Sequence, residues 1–458
     1  MFKRIMIANR GEIAMRIIRC CHEMGIETVL ACSEEDKDSL PATFSDECVV
    51  IGPARADLSY LNGPSILEAA KARHCDAIHP GYGLLSENAD FAEMCRDAGI
   101  PFIGPAPEVI RQMGDKQSAR ALMKRSGVPV VPGSDGLIRD AAEAAKIAAR
   151  IGYPVLIKAS AGGGGRGMRR AFAPDEVESA FEEARAEAAA AFGDDSLYLE
   201  KLITAPRHIE FQILGDTKGH MIQLGERDCS LQRRNQKMIE EAPARCLTER
   251  QRAAMAKAAV KAAKTVGYTS AGTVEFILDR DGQFYFIEMN TRIQVEHPVT
   301  EMTVGIDILR EQLRIAAGLE LTAKQGDIRP SGHTIEVRVN AEAPEKGFAP
   351  SPGTIGFLHF PAGMGVRVES AMFSGAKVSP FYDSMIAKII VHAPGRLEAI
   401  RKMRVCLEEL TVEGVETNID FLYLILHHPD YLLGNVDTAF LERDMEQLLK
   451  WDKDSRRK

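Results

Sequence analysis

Apolar and polar positions near the start of the chain alternate in the way that predicts strands and helices in turn. Residues 3–9 form a short apolar run, apolar side chains then recur at helical spacing over 13–18, and a second apolar run covers 28–31. The order strand, helix, strand opens a parallel α/β sheet. Because the pattern recurs as far as residue 104, we expect a first Rossmann-like unit over residues 1–114.

The rest of the chain predicts two further units with a different pattern. From residue 196 to 290 the sequence is mostly strand-like, and from about His333 short strands alternate around one helix. The helices that we expect after the first unit cover Lys116–Ser126, Asp175–Phe192, Glu249–Val266 and Leu397–Leu407. The fold class is therefore a multidomain protein that combines α/β and α+β parts.

The composition and charge of the chain argue against several classes of protein. The 458 residues hold 57 Lys plus Arg against 65 Asp plus Glu, a formal net charge of −8, which argues against a general binder of nucleic acids. No apolar run approaches the ~18 residues of a membrane helix, so we expect no membrane partner and a cytoplasmic location. The nine cysteines are odd in number and form no CxxC pair, which favours free buried thiols over disulfides or a zinc site.

A glycine-rich stretch between Lys158 and Met168 is the first candidate for chemistry. Its spacing formally satisfies GxGxxG, but the next expected helix begins only near Pro174, and Met168 stands where a Walker loop needs Lys. Both of those interpretations fail. A glycine loop between two strands is typical of a flap that closes over a triphosphate, with Lys158 reaching the phosphates. A surface loop with a structural lysine remains the alternative.

Two strand patterns around Asp279–Gly282 predict a hairpin that carries acids on one face. If Leu278 pairs with Gln283, then Glu275 faces Phe286 and Glu288 lies one diagonal step away on the same face. The oxygen atoms of these two glutamates would then converge. Exposed acids on an edge strand are the alternative.

Polar residues continue past the hairpin at every second position from Glu288 to Glu296. Together with Glu275 and Glu288, Asn290 completes a set of oxygen ligands that suits Mg²⁺ bound to nucleotide phosphates. In an extended chain Arg292, Gln294 and Glu296 would line one wall with them, where they could hold a small planar anion and remove its proton. A strand with one solvated face would alternate in the same way. Residues 233–237 add cations, or form a plain basic turn.

The whole chain resembles the biotin carboxylase component of the biotin-dependent carboxylases, closest to that of bacterial acetyl-CoA carboxylase. The segments that carry the resemblance are Ala8–Ala14, His79–Gly83, the glycine loop, Glu226–Ser230 and Glu288–Pro298. It implies a pre-ATP-grasp domain over 1–114, an ATP-grasp domain over 115–330 with a mobile lid at about 131–203, and a biotin carboxylase C-terminal domain over 331–446.

The resemblance also implies roles for individual residues. Those implied to contact ATP are Lys116, Lys158, Gly163, Gly164, Gly165, Met168, Glu200, Lys201, Leu202, Ile203, His208, Gln232 and Asn235. The implied metal ligands are Glu275, Glu288 and Asn290, and the implied bicarbonate and biotin contacts are Lys237, Arg292, Gln294, Val295, Glu296, Arg338 and Tyr82. Of these, Lys237, Arg292, Glu296 and Arg338 are the implied catalytic residues. The family often has histidine in place of Asn235, which can still donate one hydrogen bond.

The activity implied by the resemblance is ATP-dependent carboxylation of biotin with bicarbonate, through carboxyphosphate. The cofactors are ATP and Mg²⁺ or Mn²⁺. Biotin is expected on a separate biotin carboxyl carrier protein, since the chain shows no Met-Lys-Met signature and ends at Lys458. A homodimer that works with carboxyltransferase subunits and supplies malonyl-CoA for fatty acid synthesis is expected. Pyruvate or another acyl-CoA as acceptor, a carboxylate–amine ligase and a regulatory nucleotide-binding subunit are the alternatives.

Overall fold

The first part of the chain forms a parallel sheet with helices around it. The structure is a computed structural model that describes residues 1–160 and 167–455. The four strands stand in the order β3-β2-β1-β4. The elements are β1 (Arg4–Ile7), α1 (Gly11–Glu23), β2 (Glu27–Ser33), α2 (Leu40–Phe44), β3 (Glu47–Gly52), α3 (Gly63–Ala72), β4 (Ala77–His79), α4 (Ala89–Asp97) and α5 (Pro107–Gly114).

The predicted helix over 13–18 exists because its apolar face has a core to pack on. Ile13, Ile17 and Ile18 of α1 are each at most 1% exposed and pack in one cluster with Ile5 and Ile7 of β1. The run at 101–104, by contrast, makes a single parallel bridge, between Phe102 and Ile78. The Rossmann-like prediction is therefore confirmed, with one strand fewer than the apolar runs suggest.

A small three-stranded sheet with its own core follows. The elements are α6 (Lys116–Ser126), α7 (Ala141–Ile151), β5 (Val155–Ala159), β6 (Met168–Ala171), α8 (Val177–Phe192) and β7 (Leu197–Lys201), and the sheet order is β6-β5-β7. Alanine and aliphatic side chains of α7 and α8 cover one face of this sheet. As predicted, the glycine stretch connects two strands, β5 and β6, and no α-helix follows it directly.

The largest element is an eight-stranded sheet that runs from the central part of the chain into the last part. Its order is β12-β11-β8-β9-β10-β13-β20-β18. The central elements are β8 (Arg207–Gly215), β9 (Met221–Arg233), β10 (Gln236–Ala242), α9 (Glu249–Thr265), β11 (Ser270–Leu278), β12 (Phe284–Asn290), α10 (His297–Val304) and α11 (Ile308–Ala316). The antiparallel pairing of β10 with β13 joins the two parts.

The last part of the chain adds strands to that sheet and covers it with helices. Its elements are β13 (His333–Asn340), β14 (Glu342–Ala343), β15 (Ala349–Pro350), β16 (Gly353–Thr354), β17 (Leu358–His359), β18 (Val366–Ser370), β19 (Lys377–Val378), β20 (Met385–Ala393), α12 (Arg396–Glu409), β21 (Thr411–Val412), α13 (Ile419–His427), α14 (Pro429–Leu433) and α15 (Phe440–Ser455). All nine cysteines are free, as predicted. No helix within the described ranges is long and apolar enough to span a bilayer.

The register of the acidic hairpin differs from the prediction. Leu278 pairs with Phe284, not with Gln283, and Glu275 stands directly opposite Glu288, not opposite Phe286. Two changes add up to this difference: the loop of the hairpin is one residue longer than predicted, and an irregularity between Glu275 and Phe276 leaves one extra residue in β12. The expectation that the two acids share a face survives, since the bulge brings them closer together.

The polar wall is also not an extended chain. Strand β12 ends at Asn290, and residues 291–296 turn before α10 begins at His297. Pro298 in the first turn of α10 suits a helix start, because its missing N–H would have no partner there. The polar residues therefore meet by a change of chain direction and not by strand alternation.

Candidate active site

A cavity of about 610 Å³ lies between the three-stranded sheet and the eight-stranded sheet. Fifteen of the residues singled out from the sequence line it. They are Lys116, Lys158, Met168, His208, Gln232, Asn235, Lys237, Glu275, Glu288, Asn290, Arg292, Gln294, Val295, Glu296 and Arg338. Residues that are distant in sequence thus share one chamber, as a nucleotide and a second substrate require.

Five further candidates do not line this cavity. The backbone N–H groups of Lys201 and Leu202 donate to carbonyls of Pro132 and Pro154 at 2.7 and 3.0 Å. Glu200 accepts from Lys158, Nζ to Oε1 at 2.7 Å. The remaining two are Ile203 and Tyr82. Gly163, Gly164 and Gly165 lie outside the described residues.

The ammonium group of Lys237 is the electrostatic centre of the cavity. Its Nζ lies 2.5 Å from Glu210, 3.0 Å from Glu275 and 2.6 Å from Glu296, and it donates to Gln294 at 3.1 Å. Burial would lower the pKa of Lys237, but the three carboxylates outweigh that effect and raise it well above the usual value. Lys237 is therefore a fixed cation at physiological pH.

Glu296 and Arg338 form the second ion pair of the site. Nη2 of Arg338 donates to Oε2 of Glu296 at 2.8 Å, and Lys237 holds the other oxygen. Burial acts to raise the pKa of Glu296, yet Lys237 and Arg338 together lower it far below the usual range. Glu296 is thus ionised, and its basicity depends on whether these two cations stay with it.

The acids of the hairpin are held by cations and amides. Oε1 of Glu275 accepts from Nδ2 of Asn290 at 2.8 Å and from Nε2 of Gln294 at 2.9 Å. Glu288 lies 3.3 Å from the ammonium of Lys116 and is a third exposed. Two carboxylates and an amide oxygen are hard ligands, and this donor set fits Mg²⁺ or Mn²⁺.

A second grouping of ligands exists but suits a metal less well. Ligand atoms of His208, Glu210 and Glu275 lie within 4.8 Å of one another. The charge of Glu210 is already matched by Lys237 and by Arg227, whose Nε lies 2.5 Å from its Oε1. A divalent ion there would meet two fixed cations, so the hairpin set is the better candidate.

The turn between β9 and β10 explains the unusual asparagine. Arg234 and Asn235 both have positive φ, 48° and 65°, which is the pattern of a two-residue type I′ hairpin turn. Asparagine tolerates this left-handed backbone better than most residues. Asn235 therefore fits the turn and still reaches the cavity.

The apolar part of the cavity was not found from the sequence. It is formed by Tyr198, Pro206, Ile277, Ile287 and Thr438, together with Met168. Tyr198, Ile277 and Ile287 lie in strands, whereas Pro206 and Thr438 lie outside helices and strands, so no common local signal marks them. Ile277 follows Glu275 by two residues, which hints at a shared face, but Ile287 is adjacent to Glu288 and reaches the cavity as the extra residue of β12.

The charged support of the site was also missed. Arg227 is fully buried and bonds Glu210, Gln212, Thr273 and Thr300. A second support is Glu87, which accepts from Nε of Arg292 at 2.9 Å. An arginine inside a nearly continuous run of polar residues in a strand, Glu226–Ser230, is the signal that could have drawn attention to the first.

Fold and cavity together define an ATP-binding ligase of the ATP-grasp type, with lysines from two sheets facing acidic ligands. Three family models cover most of the chain. Residues 1–110 match the "Biotin carboxylase, N-terminal domain", 115–324 the "Carbamoyl-phosphate synthase L chain, ATP binding domain" and 336–443 the "Biotin carboxylase C-terminal domain".

Similar proteins agree with these matches. The biotin carboxylase of Nostoc sp. is 54% identical over 441 residues, 96% of this chain and 99% of its own length. The chain therefore belongs to the biotin carboxylase family, whose members are ATP-dependent ligases.

Solved structures extend the comparison to the three-domain architecture. One is the biotin carboxylase domain dimer of the Hydrogenobacter thermophilus 2-oxoglutarate carboxylase, in complex with MgADP, ADP and bicarbonate, with a TM-score of 0.93, 52% identity and coverage of 98% of this chain and 99% of the other. Another is the biotin carboxylase subunit of pyruvate carboxylase, with a TM-score of 0.86, 51% identity and the same coverage of both chains.

Proposed function

We propose that this chain uses ATP and bicarbonate to carboxylate biotin on a separate carrier protein, as the first half-reaction of an acetyl-CoA carboxylase. The observation that carries the proposal is the pairing of Glu296 with both Lys237 and Arg338 at one end of the cavity. The pairing provides a base that lies between two cations, and an anion such as bicarbonate can bind to these cations beside the base. Lysines that suit phosphates line the same cavity.

The residues have distinct tasks in the proposed reaction. Bicarbonate takes over hydrogen bonds from Arg338 and Arg292, so Glu296 loses part of its charge compensation, becomes a stronger base and accepts the bicarbonate proton. The anion then attacks the γ-phosphate to give carboxyphosphate and ADP. Lys116 and Lys158 offset the charge on the transferred phosphoryl group.

Glu275, Glu288 and Asn290 are the residues that would hold Mg²⁺ or Mn²⁺, which when bound neutralises phosphate charge. Carboxyphosphate next releases CO₂ and phosphate, phosphate takes the ureido proton of biotin, and the deprotonated ureido nitrogen attacks CO₂ to give carboxybiotin. Arg338 donates hydrogen bonds to the enolate-like oxygen that results. The hydroxyl of Tyr82, a residue that we place near biotin, donates to Oε1 of Glu12.

The two half-reactions can be separated by mutation. Glu296→Ala should lower bicarbonate-dependent ADP formation and carboxybiotin formation together. Arg338→Ala should lower carboxybiotin more than ADP, because the loss of a contact to a developing oxyanion costs about 10²- to 10³-fold. The measurement is the ratio of carboxybiotin formed to ADP released at saturating ATP and bicarbonate. An unchanged ratio in the Arg338 variant would contradict its assignment to biotin.

The alternative ligase and the regulatory subunit make different predictions. A carboxylate–amine ligase would show no stimulation of ADP release by bicarbonate plus biotin. A regulatory subunit would bind ATP without hydrolysis, and the presence of Glu275, Glu288 and Glu296 in one cavity counts against it. The assay of ADP release with and without both substrates therefore decides among the three.

Acetyl-CoA is our proposal for the final acceptor, with pyruvate or another acyl-CoA as the alternatives. The acceptor is chosen by a carboxyltransferase and not by this cavity. Affinity capture from the native cytoplasm, which is the proposed location, should recover a carboxyltransferase of the acetyl-CoA type and a biotinylated carrier protein. Recovery of a pyruvate- or 2-oxoglutarate-type partner would refute the choice. Intact mass of the purified chain should show no covalent biotin.

A further inference from the structure

Two buried glutamates behind Arg338 have no role in the mechanism above. Glu240 lies on β10 and Glu336 lies directly opposite it on β13. Both have 0% exposure. Oε2 of Glu240 and both oxygens of Glu336 have no hydrogen-bond partner in the part of the chain that the structure describes. Unpaired buried carboxyl oxygens are costly, so their presence beside the site calls for an explanation.

Arg338 is shared between Glu240 and Glu296. Its Nε and Nη2 lie 2.7 and 2.6 Å from Oε1 of Glu240, and Nη2 also donates to Glu296 at 2.8 Å. The side chain of Arg338 keeps 17% exposure toward the cavity, whereas Glu240 has none. Glu240 therefore binds the guanidinium on its buried side. The side that faces the cavity stays accessible to Glu296 and the substrate.

The next residue of the same strand supplies a contrast. Glu241 points to the other face of β10, where Arg396 binds both of its oxygens at 2.6 and 2.8 Å and His333 lies 2.8 Å away. Glu241 is thus fully paired inside a structural cluster. Glu240 has half of its hydrogen-bonding capacity unused and a single cation that faces the cavity.

The charges around the facing pair of Glu240 and Glu336 favour ionisation of one of these two carboxyls. Burial raises the pKa of Glu336 well above its usual value against the pull of Lys388, and burial raises that of Glu240 to about 7 against Arg338. Two adjacent buried acids do not both ionise readily. The charged or titratable groups that face Glu240 are Arg338 and Glu336 from β13, Lys388 from β20, Cys229 from β9, Lys237 from its own strand, and Glu296 from the turn before α10.

We propose that Glu240 is a positioning residue, which holds the Arg338 guanidinium at the cavity wall in the orientation that serves biotin. The ammonium of Lys388 has other partners: it donates to the Val295 carbonyl at 2.8 Å and lies 2.9 Å from Oε1 of Glu12. Arg338 is consequently the one cation in contact with Glu240 among the described residues. The inference rests on the proposed function, because its readout is biotin carboxylation.

The test uses the same ratio of carboxybiotin to ADP. Glu240→Ala should lower the ratio by about 10- to 100-fold, the cost of losing hydrogen bonds to a charged group, with ADP formation reduced less than carboxybiotin formation. Glu240→Gln keeps an acceptor for Nε and Nη2 without the charge, so its ratio should fall by a smaller factor, about 3- to 10-fold. A residue with a merely structural role would lower both products in proportion, and that result would overturn the inference.

Glu336→Gln is the matched control. It replaces a neutral buried carboxyl by a neutral amide of the same shape, and the ratio should stay within about twofold of the parent. The double variant Glu240→Ala with Arg338→Ala should be no worse than Arg338→Ala alone, because one residue acts through the other. Additive losses, or an equal fall in the Glu336 and Glu240 glutamine variants, would overturn the proposal.

Failure of the inference and failure of the proposed function are distinguishable. A parent chain without ADP release stimulated by bicarbonate and biotin would refute both. A parent chain with that activity, whose Glu240 variants keep its ratio, would refute only the role of Glu240. If the alanine variant does not fold, as judged by thermal unfolding, the glutamine variant decides.

Discussion

At the scale of single residues, the main cations of the cavity each have more than one carboxylate partner. Lys237 touches three carboxylates, and Arg338 divides its hydrogen bonds between two. Such groups can release one partner to a substrate without exposing an isolated charge. We expect the conformations of these side chains to change when nucleotide and bicarbonate bind.

Glu288→Gln tests the hairpin ligand set. The substitution replaces a negative ligand by a neutral one of the same shape, so turnover at ordinary Mg²⁺ should fall by about 10²-fold or more while the fold is kept. Glu68→Gln, an exposed surface change, serves as the control and should leave turnover unchanged. Full activity of the Glu288 variant would refute the assignment of the metal ligands.

His79→Asn tests a pH dependence of stability. Burial lowers the pKa of His79 to about 3, with Arg16 acting in the same direction, so between pH ~6.5 and 3 the unfolded chain binds a proton that the folded chain excludes. Stability from this residue is present above pH ~6.5 and lost as pH falls, by about 2 kcal/mol at pH 5. The asparagine side chain of the variant cannot titrate, and its oxygen can still accept the Gly81 N–H, which His79 Nδ1 accepts at 3.0 Å in the parent.

The measurement for His79 is urea unfolding of parent and variant at pH 7 and pH 5. The loss of unfolding free energy on acidification should be about 2 kcal/mol smaller for the variant. His74→Asn, in the exposed turn after α3, should behave like the parent. Identical losses for all three proteins would show that His79 is not held neutral.

At the scale of elements, helix α9 depends on its first turn. Thr248 and Gln251 form a capping box, in which the Thr248 hydroxyl accepts the Gln251 N–H at 3.3 Å and the Gln251 side chain accepts the Thr248 N–H at 3.0 Å. Thr248→Ala should lower the free energy of unfolding by about 1 kcal/mol, and Thr248→Ser by less. Equal denaturation midpoints for both variants would contradict this role.

The elements also show what a sequence can predict. The acidic hairpin, the helix at Lys116–Ser126 and the strands that flank the glycine stretch follow from periodicity and turn residues, which act over a few positions. The bulge opposite Glu275 does not, because one extra residue in a strand leaves no local pattern. The same is true of the turn after Asn290, which depends on how α10 packs.

Contacts between residues that are distant in sequence similarly limit how much of the site can be predicted from the sequence. The proposed metal ligands Glu275 and Glu288 are predictable because they lie on one hairpin. Arg227 and Glu240 are not, since what distinguishes them is burial against strands that are distant in sequence. The function was predicted from motifs that resemble those of a family, whereas no motif predicts the apolar wall of the cavity.

At the scale of the whole molecule, we predict a homodimer, in line with the dimer found for the Hydrogenobacter thermophilus neighbour. Exposed Phe357 and Phe373 lie on segments joined by a hydrogen bond from Leu358 N to Ser374 Oγ at 3.0 Å, and we choose these two apolar side chains as the candidates for the interface. Sedimentation should give twice the 50.2 kDa of one chain, and Phe357→Asp with Phe373→Asp should shift it toward one chain. A parent that sediments as a monomer at micromolar concentration would refute the prediction.

The pairing of β10 with β13 also determines where the chain can be divided. A fragment that stops at residue 330 would contain the entire match to the ATP-binding family model. It would nevertheless lack β13, so the N–H and C=O groups of β10 would lie open along a free sheet edge, beside the uncovered side chain of Ile239, which pairs with Val337 in the whole chain. Such an edge recruits strands from other molecules. The isolated fragment should therefore aggregate during expression, even though it contains the whole segment that matches the ATP-binding family model.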